Sequence, residues 1–206
     1  MIKWLFLSSL LIAMCLFALA CVVTRIENAQ YAQNREQMTD NTAHPLKPKT
    51  AVIYFSRSGN TGVLAQHITH SENADLFEID AEDYALGIPG WMSALKDARN
   101  HVAKISPTTI NLNGYDKVYL GAPIWLYSPA PPIWQFVQNA DLTEKDVILF
   151  NSFNSKFEQH FIDDFGLLVQ AKGAKSFAHQ YIKRGRMGSQ ITTEQMLADF
   201  DSQQPK

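Results

Sequence analysis

Apolar and polar residues are distributed differently in the two parts of the chain. Residues 4–23 are uncharged and apolar on every side, whereas beyond Lys49 short apolar runs alternate with segments of helical periodicity. Runs rich in β-branched and aromatic residues favour buried strands, and apolar positions spaced by three and four favour helices. The pattern predicts five strands, at 51–55, 75–79, 117–121, 146–150 and 175–182. It also predicts five helices, at 60–70, 91–102, 131–139, 159–171 and 192–200.

This alternation of strands and helices predicts an α/β fold. Five strands, each followed by a helix, imply a parallel sheet that is covered by helices on both faces, which makes three layers. In such sheets ligands bind beyond the carboxyl ends of the strands. The loops that follow Phe55, Leu120 and Phe150 are therefore the expected location of a functional site.

The N-terminal apolar run is long enough to cross a bilayer. Twenty helical residues reach about 30 Å, the thickness of a hydrocarbon core. Residues 1–24 are thus a single-pass anchor, a cleaved signal peptide with the small-residue site Ala18-Leu19-Ala20, or a lipoprotein signal with Cys21 lipidated. Two of these three interpretations export the chain, so we expect a domain held at a membrane outside the cytoplasm. Basic residues are nearly balanced across the run, with Lys3 before it and Arg25 after it, so they hardly fix the orientation.

A polar segment follows the apolar run. Residues 25–49 contain mainly Gln, Asn, Thr and Glu and end in a proline-containing stretch. No apolar periodicity persists there, which predicts a linker between membrane and domain, with a helix near 25–38. The folded domain is expected to occupy residues 50–206.

Composition narrows the chemistry of that domain. The chain has 206 residues and a net charge of −2, whereas a nucleic-acid-binding protein needs a basic stripe. The two cysteines, Cys15 and Cys21, both lie in the apolar run, which excludes an internal disulfide, a thiolate metal site or a cysteine nucleophile in the folded part. The histidines show no metal-ligand spacing. Any redox chemistry must therefore come from a bound cofactor.

The loop after the first strand suits an anionic ligand. The unpaired amide groups at a helix N-terminus favour a phosphate, and hydroxyl groups add donors. The loop lacks the lysine of a Walker A motif and the three glycines of a dinucleotide fingerprint. It also lacks the acidic residues of a response-regulator receiver. Its residues are Ser56, Arg57, Ser58, Gly59, Asn60 and Thr61.

This loop resembles the phosphate-binding loop of flavodoxins, which has the form [ST]-x-[ST]-G-N-T. The preceding Ile53-Tyr54-Phe55-Ser56 also resembles the first strand of that family. The resemblance covers about residues 50–182. It implies a flavodoxin-like fold with strand order 2-1-3-4-5 and noncovalently bound FMN, whose phosphate is held by residues 56–61.

The loop after the third strand suits a flat aromatic ligand. It is uncharged and contains four prolines, which stiffen it and reduce the entropy lost on binding. It resembles the G-x-P-I-W-W stretch of a flavodoxin-like subfamily, which lines the flavin ring, with Leu126 in place of the second tryptophan. Trp134 lies on a helical face and is expected in the core. The expected ring contacts are Ala122, Pro123, Ile124, Trp125, Leu126 and Tyr127.

The loop after the fourth strand supplies further expected flavin contacts. By the same resemblance these are Asn151, Ser152 and Phe153, in a loop that is often glycine-rich in the family but has no glycine here.

The leading functional hypothesis is a membrane-tethered, FMN-binding oxidoreductase or electron-transfer protein. Such a protein passes electrons to a redox partner protein, or takes hydride from NAD(P)H and reduces a quinone or similar small acceptor. The ring loop lacks the acidic residues that would repel a reduced anionic flavin, which favours the reductase. The alternative is a non-catalytic membrane module that has the fold without the flavin.

Overall fold

The computed structural model describes residues 2–38, 48–186 and 188–203. The strands are β1 (Thr50–Tyr54), β2 (Asp75–Glu78), β3 (Lys117–Trp125), β4 (Ser128–Pro129), β5 (Asp146–Phe153) and β6 (Ser176–Lys183). The helices are α1 (Ile2–Gln37), α2 (Asn60–Glu72), α3 (Ile88–Asp97), α4 (Pro131–Asn139), α5 (Gln159–Ala171) and α6 (Thr193–Asp201).

Five parallel strands form one sheet in the order β2-β1-β3-β5-β6. The two-residue strand β4 pairs antiparallel with the end of β3 and lies outside this order. The predicted α/β fold and the strand order 2-1-3-4-5 are therefore confirmed, because the prediction counted only the five long strands. Helices α2 and α6 cover one face of the sheet, and α3, α4 and α5 cover the other.

The central strand β1 shows why this sequence forms a buried parallel strand. All five of its residues are buried. Side chains alternate between the two faces of a strand, so Ala51 and Ile53 enter one core cluster while Val52 and Tyr54 enter the other. A strand covered on both faces needs apolar residues at every position, which explains its continuous apolar run.

Three elements differ from the prediction. Strand β3 continues to Trp125 and β5 to Phe153, so segments expected as loops pair with each other inside the sheet. Helix α3 begins earlier, after Gly87, and ends at Asp97. It ends there because the backbone and side chain of Asn100 both bond back to Asp97. Val102, predicted within the helix, is exposed beyond it.

Helix α1 has two halves of opposite character. It spans 36 residues, about 54 Å at 1.5 Å per residue. Its first half exposes large apolar side chains, and the helix is long and apolar enough to cross a membrane by length and composition. The predicted helix near 25–38 is present, but it does not stand clear of the domain. Glu27 and Asn34 are buried, and this half of α1 contacts α2 and α3.

Candidate cofactor site

A cavity of about 340 Å³ lies beyond the carboxyl ends of β1, β3 and β5. This is the edge of the sheet at which the sequence predicts a site. The structure brings to the cavity wall the predicted residues Ser56, Arg57, Ser58, Asn60, Thr61, Pro123, Ile124, Trp125, Leu126, Tyr127, Ser152 and Phe153. Residues from both predicted ligand-binding loops, 56–61 and 122–127, therefore line one cavity.

Three predicted site residues do not line the cavity but are sequence neighbours of residues that do. Gly59 lies in the loop before α2, and Ala122 and Asn151 are fully buried partners in the sheet. The Asn151 side-chain amide donates to the Ala122 carbonyl at 2.7 Å, and its oxygen lies 2.9 Å from His179 Nε2. Burial lowers the pKa of His179 to about 4, so the neutral ring donates this hydrogen bond near pH 7.

Trp125 forms the aromatic wall of the cavity. Its ring meets the rings of Phe55 and Tyr84 edge-on, with centroids 5.6 Å and 5.2 Å away. Burial raises the pKa of Tyr84 to about 12, so its phenol stays neutral. Trp134, in contrast, is buried, stacks on His101 and donates to the Pro129 carbonyl, which confirms the prediction that it belongs to the core.

The turn between β3 and β4 is backbone-strained. Leu126 and Tyr127 have φ angles of 41° and 80°, a region that side chains other than glycine and asparagine rarely adopt. Arg99 donates to the Leu126 carbonyl at 3.2 Å, and the Glu158 amide donates to the Tyr127 carbonyl at 3.0 Å. Such strain persists where surrounding contacts impose it, and it is typical of ligand-binding sites.

The loop of residues 56–61, hereafter the anion loop, forms the opposite end of the cavity. Gly59 has a φ of 87° and precedes the first turn of α2, whose amide groups therefore face the loop. Thr61 Oγ1 lies 2.8 Å from Ser152 Oγ, which ties the loop to the end of β5. These donors suit a phosphate group.

The polar half of α1 lies directly on the anion loop. Asn34 Nδ2 donates to the Ser58 carbonyl at 2.9 Å and to Asn60 Oδ1 at 3.0 Å. Gln30 Nε2 donates to the same Asn60 oxygen at 3.1 Å. A Cβ atom on Gly59 would lie only 2.5 Å from Asn34 Cβ, so the glycine permits this close approach.

The Arg57 side chain already binds other groups of the protein. Its buried guanidinium donates to the carbonyls of Tyr84 and Gly87 at 3.0 and 3.2 Å and forms an ion pair with Glu27. The second carboxylate oxygen of Glu27 is buried and has no hydrogen-bond partner among the described residues. The aromatic end of the cavity thus fits a flavin ring, whereas α1 covers the phosphate end in this conformation.

Sequence reasoning missed several residues of the cavity wall. Glu27 and Gln30 come from the predicted linker, and α3 contributes an apolar stretch that includes Trp91 and Leu95. The sequence does contain a signal that α1 docks on the domain. Glu27, Gln30 and Asn34 recur at i, i+3 and i+7, so these polar residues share one helix face.

A second, basic groove adjoins the cavity. It measures about 580 Å³ and shares Tyr127 and Lys156 with the first cavity, and the Lys156 ammonium lies 4.8 Å from the Tyr127 ring centroid. Lys183 and Arg186 complete its charged wall, and no acidic residue of the described chain lines it. We call this feature the basic groove.

Comparison with known proteins agrees with this architecture. A candidate flavoprotein from Bacteroides uniformis ATCC 8492 has a TM-score of 0.56 at 19% identity, over 76% of this chain and 99% of that one. A flavoprotein in complex with FMN from Lactobacillus acidophilus NCFM has a TM-score of 0.53 at 21% identity, over 65% and 93%. No curated protein sequence matches the chain. A family model described as Flavodoxin matches residues 49–196, and the chain therefore belongs to the flavodoxin family.

Proposed function

We propose that this chain is a membrane-tethered flavoprotein that binds FMN noncovalently and transfers electrons or hydride. The observation that carries the proposal is the single cavity joining the anion loop to Trp125 and Tyr127 in a chain of the flavodoxin family. The Lactobacillus acidophilus flavoprotein, which has a similar fold, is a complex with FMN. The bound flavin would supply the redox chemistry, and the protein would bind and orient it.

The proposed contacts divide between the two ends of the cavity. Trp125, Leu126 and Tyr127, with Phe153, offer flat and apolar surfaces for the ring and exclude water from it. The amide groups at the start of α2 and the hydroxyl groups of Ser56 and Ser58 would hold the phosphate once α1 has left the loop.

The membrane tether would be residues 1–24, which include the apolar first half of α1. Its described leucines are about 60% exposed and suit a lipid environment. We place the domain, residues 50–206, at the membrane surface outside the cytoplasm. Cleavage after Ala20, or before a lipidated Cys21, would still leave Glu27 to Asn34 on the mature protein, so the covered anion loop is common to all three interpretations.

The basic groove favours a reductase over a simple electron carrier. Lys156, Lys183 and Arg186 form a cationic wall next to Tyr127, where the anionic phosphates of a nicotinamide dinucleotide could lie beside the ring site. A small acceptor such as a quinone would then take the electrons.

Flavin binding by the full chain in detergent micelles tests the proposal. We expect FMN fluorescence to be quenched on binding, with a dissociation constant that rises at least tenfold in Trp125→Ala. Trp4→Ala, which removes an exposed tryptophan from the apolar half of α1, is the matched control and leaves binding unchanged. If the folded wild-type chain takes up no flavin, the proposal fails, and the cover of α1 on the anion loop favours a non-catalytic membrane module.

A further inference from the structure

The polar face of α1 forms a specific contact with the anion loop. Glu27, Gln30 and Asn34 are spaced at i, i+3 and i+7, so all three point to the same side of the helix. Asn34 and Gln30 both donate to the Asn60 side-chain oxygen, and Gln30 also bonds to Gln190. Three polar side chains on one helix face therefore satisfy polar groups of the same loop, which is a directed contact.

An anion of the chain itself already lies at this end of the cavity. The Glu27 side chain is 9% exposed and the Arg57 side chain 5%, and the two form a buried ion pair. Glu27 and Gln30 line the same cavity as Ser58, Thr61 and Trp125. Glu27 therefore belongs to the wall of the space that a ligand on the anion loop would enter, with its carboxylate paired to Arg57 just behind that wall.

This arrangement should oppose binding of the FMN phosphate but not binding of the flavin ring. A phosphate dianion on the loop would occupy the same end of the cavity as the buried Glu27 carboxylate, and like charges repel more strongly away from bulk water. The buried cation of the loop itself, Arg57, is already paired with Glu27. An uncharged ring at Trp125 and Tyr127 meets neither of these obstacles.

We propose that Glu27, Gln30 and Asn34 form an intrachain plug on the anion loop, and that Glu27 sets how the site discriminates FMN from the phosphate-free flavin riboflavin. This inference rests on the proposed function. With the plug in place, riboflavin binds at the aromatic end, whereas FMN must displace the Glu27 carboxylate. The plug continues directly into the apolar half of α1, since only about 6 Å of helix separates Val23 from Glu27. A displacement of the membrane segment would therefore carry the plug with it.

Paired titrations of the full chain in nonionic micelles test the proposal. Dissociation constants for FMN and for riboflavin are measured by fluorescence quenching in wild type and in Glu27→Gln, which keeps the size of the side chain and removes its charge. We expect FMN affinity to rise on the order of tenfold in Glu27→Gln, because one repulsive charge is removed. Riboflavin affinity should stay within about twofold, which also shows that the variant is folded.

Two further variants complete the design. Asn34→Ala removes the hydrogen bonds to Ser58 and Asn60, and should raise FMN affinity with riboflavin affinity unchanged. Glu36→Gln makes the same charge change at an exposed position of α1 and serves as the control, with both affinities unchanged.

The outcomes separate this inference from the function on which it rests. A selective gain in FMN affinity in Glu27→Gln supports the plug. An unchanged ratio of the two affinities, or equal gains for both flavins, overturns it and leaves the flavoprotein assignment in place. If no variant binds either flavin, both the proposed function and the plug are refuted.

Discussion

The buried ion pair between Glu27 and Arg57 should respond unequally to the loss of its two members. Arg57→Met leaves a buried carboxylate with neither oxygen paired, because Glu27 has no other partner among the described residues. Glu27→Gln leaves the Arg57 guanidinium still bonded to the carbonyls of Tyr84, Ala85 and Gly87. Arg57→Met should therefore destabilise the fold far more than Glu27→Gln.

The exposure of the two side chains sets the expected size of this difference. Both are less than a tenth exposed, and breaking such a buried pair by removing one partner costs about 3–5 kcal/mol of unfolding free energy. Replacing the carboxylate by an amide that can still accept a hydrogen bond costs about 1 kcal/mol. For a chain of this length the melting temperature falls by roughly 2–4 °C per kcal/mol. We expect a decrease of about 6–20 °C for Arg57→Met and about 2–4 °C for Glu27→Gln.

Thermal unfolding followed by circular dichroism in micelles measures both values. The double variant Arg57→Met/Glu27→Gln carries neither charge and should recover most of the loss seen in Arg57→Met, since no buried carboxylate remains. Equal decreases for the two single variants, or a double variant as unstable as Arg57→Met, would show that the pair is not buried as described. Glu27 would then not oppose a phosphate on the anion loop through a buried charge.

Three other features give measurable predictions. The pKa of His179 is about 4 in the folded chain and near 6.5 in the unfolded chain, so protonation favours unfolding. The free energy of unfolding should therefore rise between pH 4 and pH 6.5. In His179→Gln that rise should be smaller by about 3 kcal/mol, as measured by the free energy of unfolding against pH. Leu126→Asn relieves the strained turn and should add about 1 kcal/mol of stability in denaturant titrations, while flavin affinity falls. Lys183→Glu should lower kcat/KM for NADPH about tenfold at low salt with unchanged FMN affinity, and an unaltered value would remove the basic groove from the reaction.

The sheet could be predicted from sequence because each central strand carries its own local signal. The apolar run of β1 and the similar run at the start of β3 identify buried strands without knowledge of their neighbours. The ends of β3 and β5 carried no such signal, because Pro123 and Ser152 are typical of loops. They are strand residues because each finds its partner in the neighbouring strand, and that pairing joins positions about thirty residues apart along the chain.

The candidate site was predictable to the extent that it depends on single loops. The anion loop and the Trp125 segment each have a local motif, and the parallel sheet brings both to one edge. The turn at Leu126 was less predictable, because neither of its residues is the glycine or asparagine that usually marks positive φ angles. Its geometry is imposed by contacts from Arg99 and Glu158, which lie far away in the sequence.

The plug was missed because helix docking is usually inferred from apolar periodicity, and this helix docks through polar side chains. From the sequence alone, the polar helix face formed by Glu27, Gln30 and Asn34 resembles the solvated face of a linker. The surface opposite them is a loop rich in polar groups, so the matching helix face must be polar to satisfy it. The Glu27 carboxylate lies next to a loop that otherwise suits phosphate. A loop that binds anions also favours an anion from the chain itself, so a nearby acidic residue indicates such a contact. When a helix leads into such a loop from the same chain, its acidic residues should be tested as competitors of the ligand.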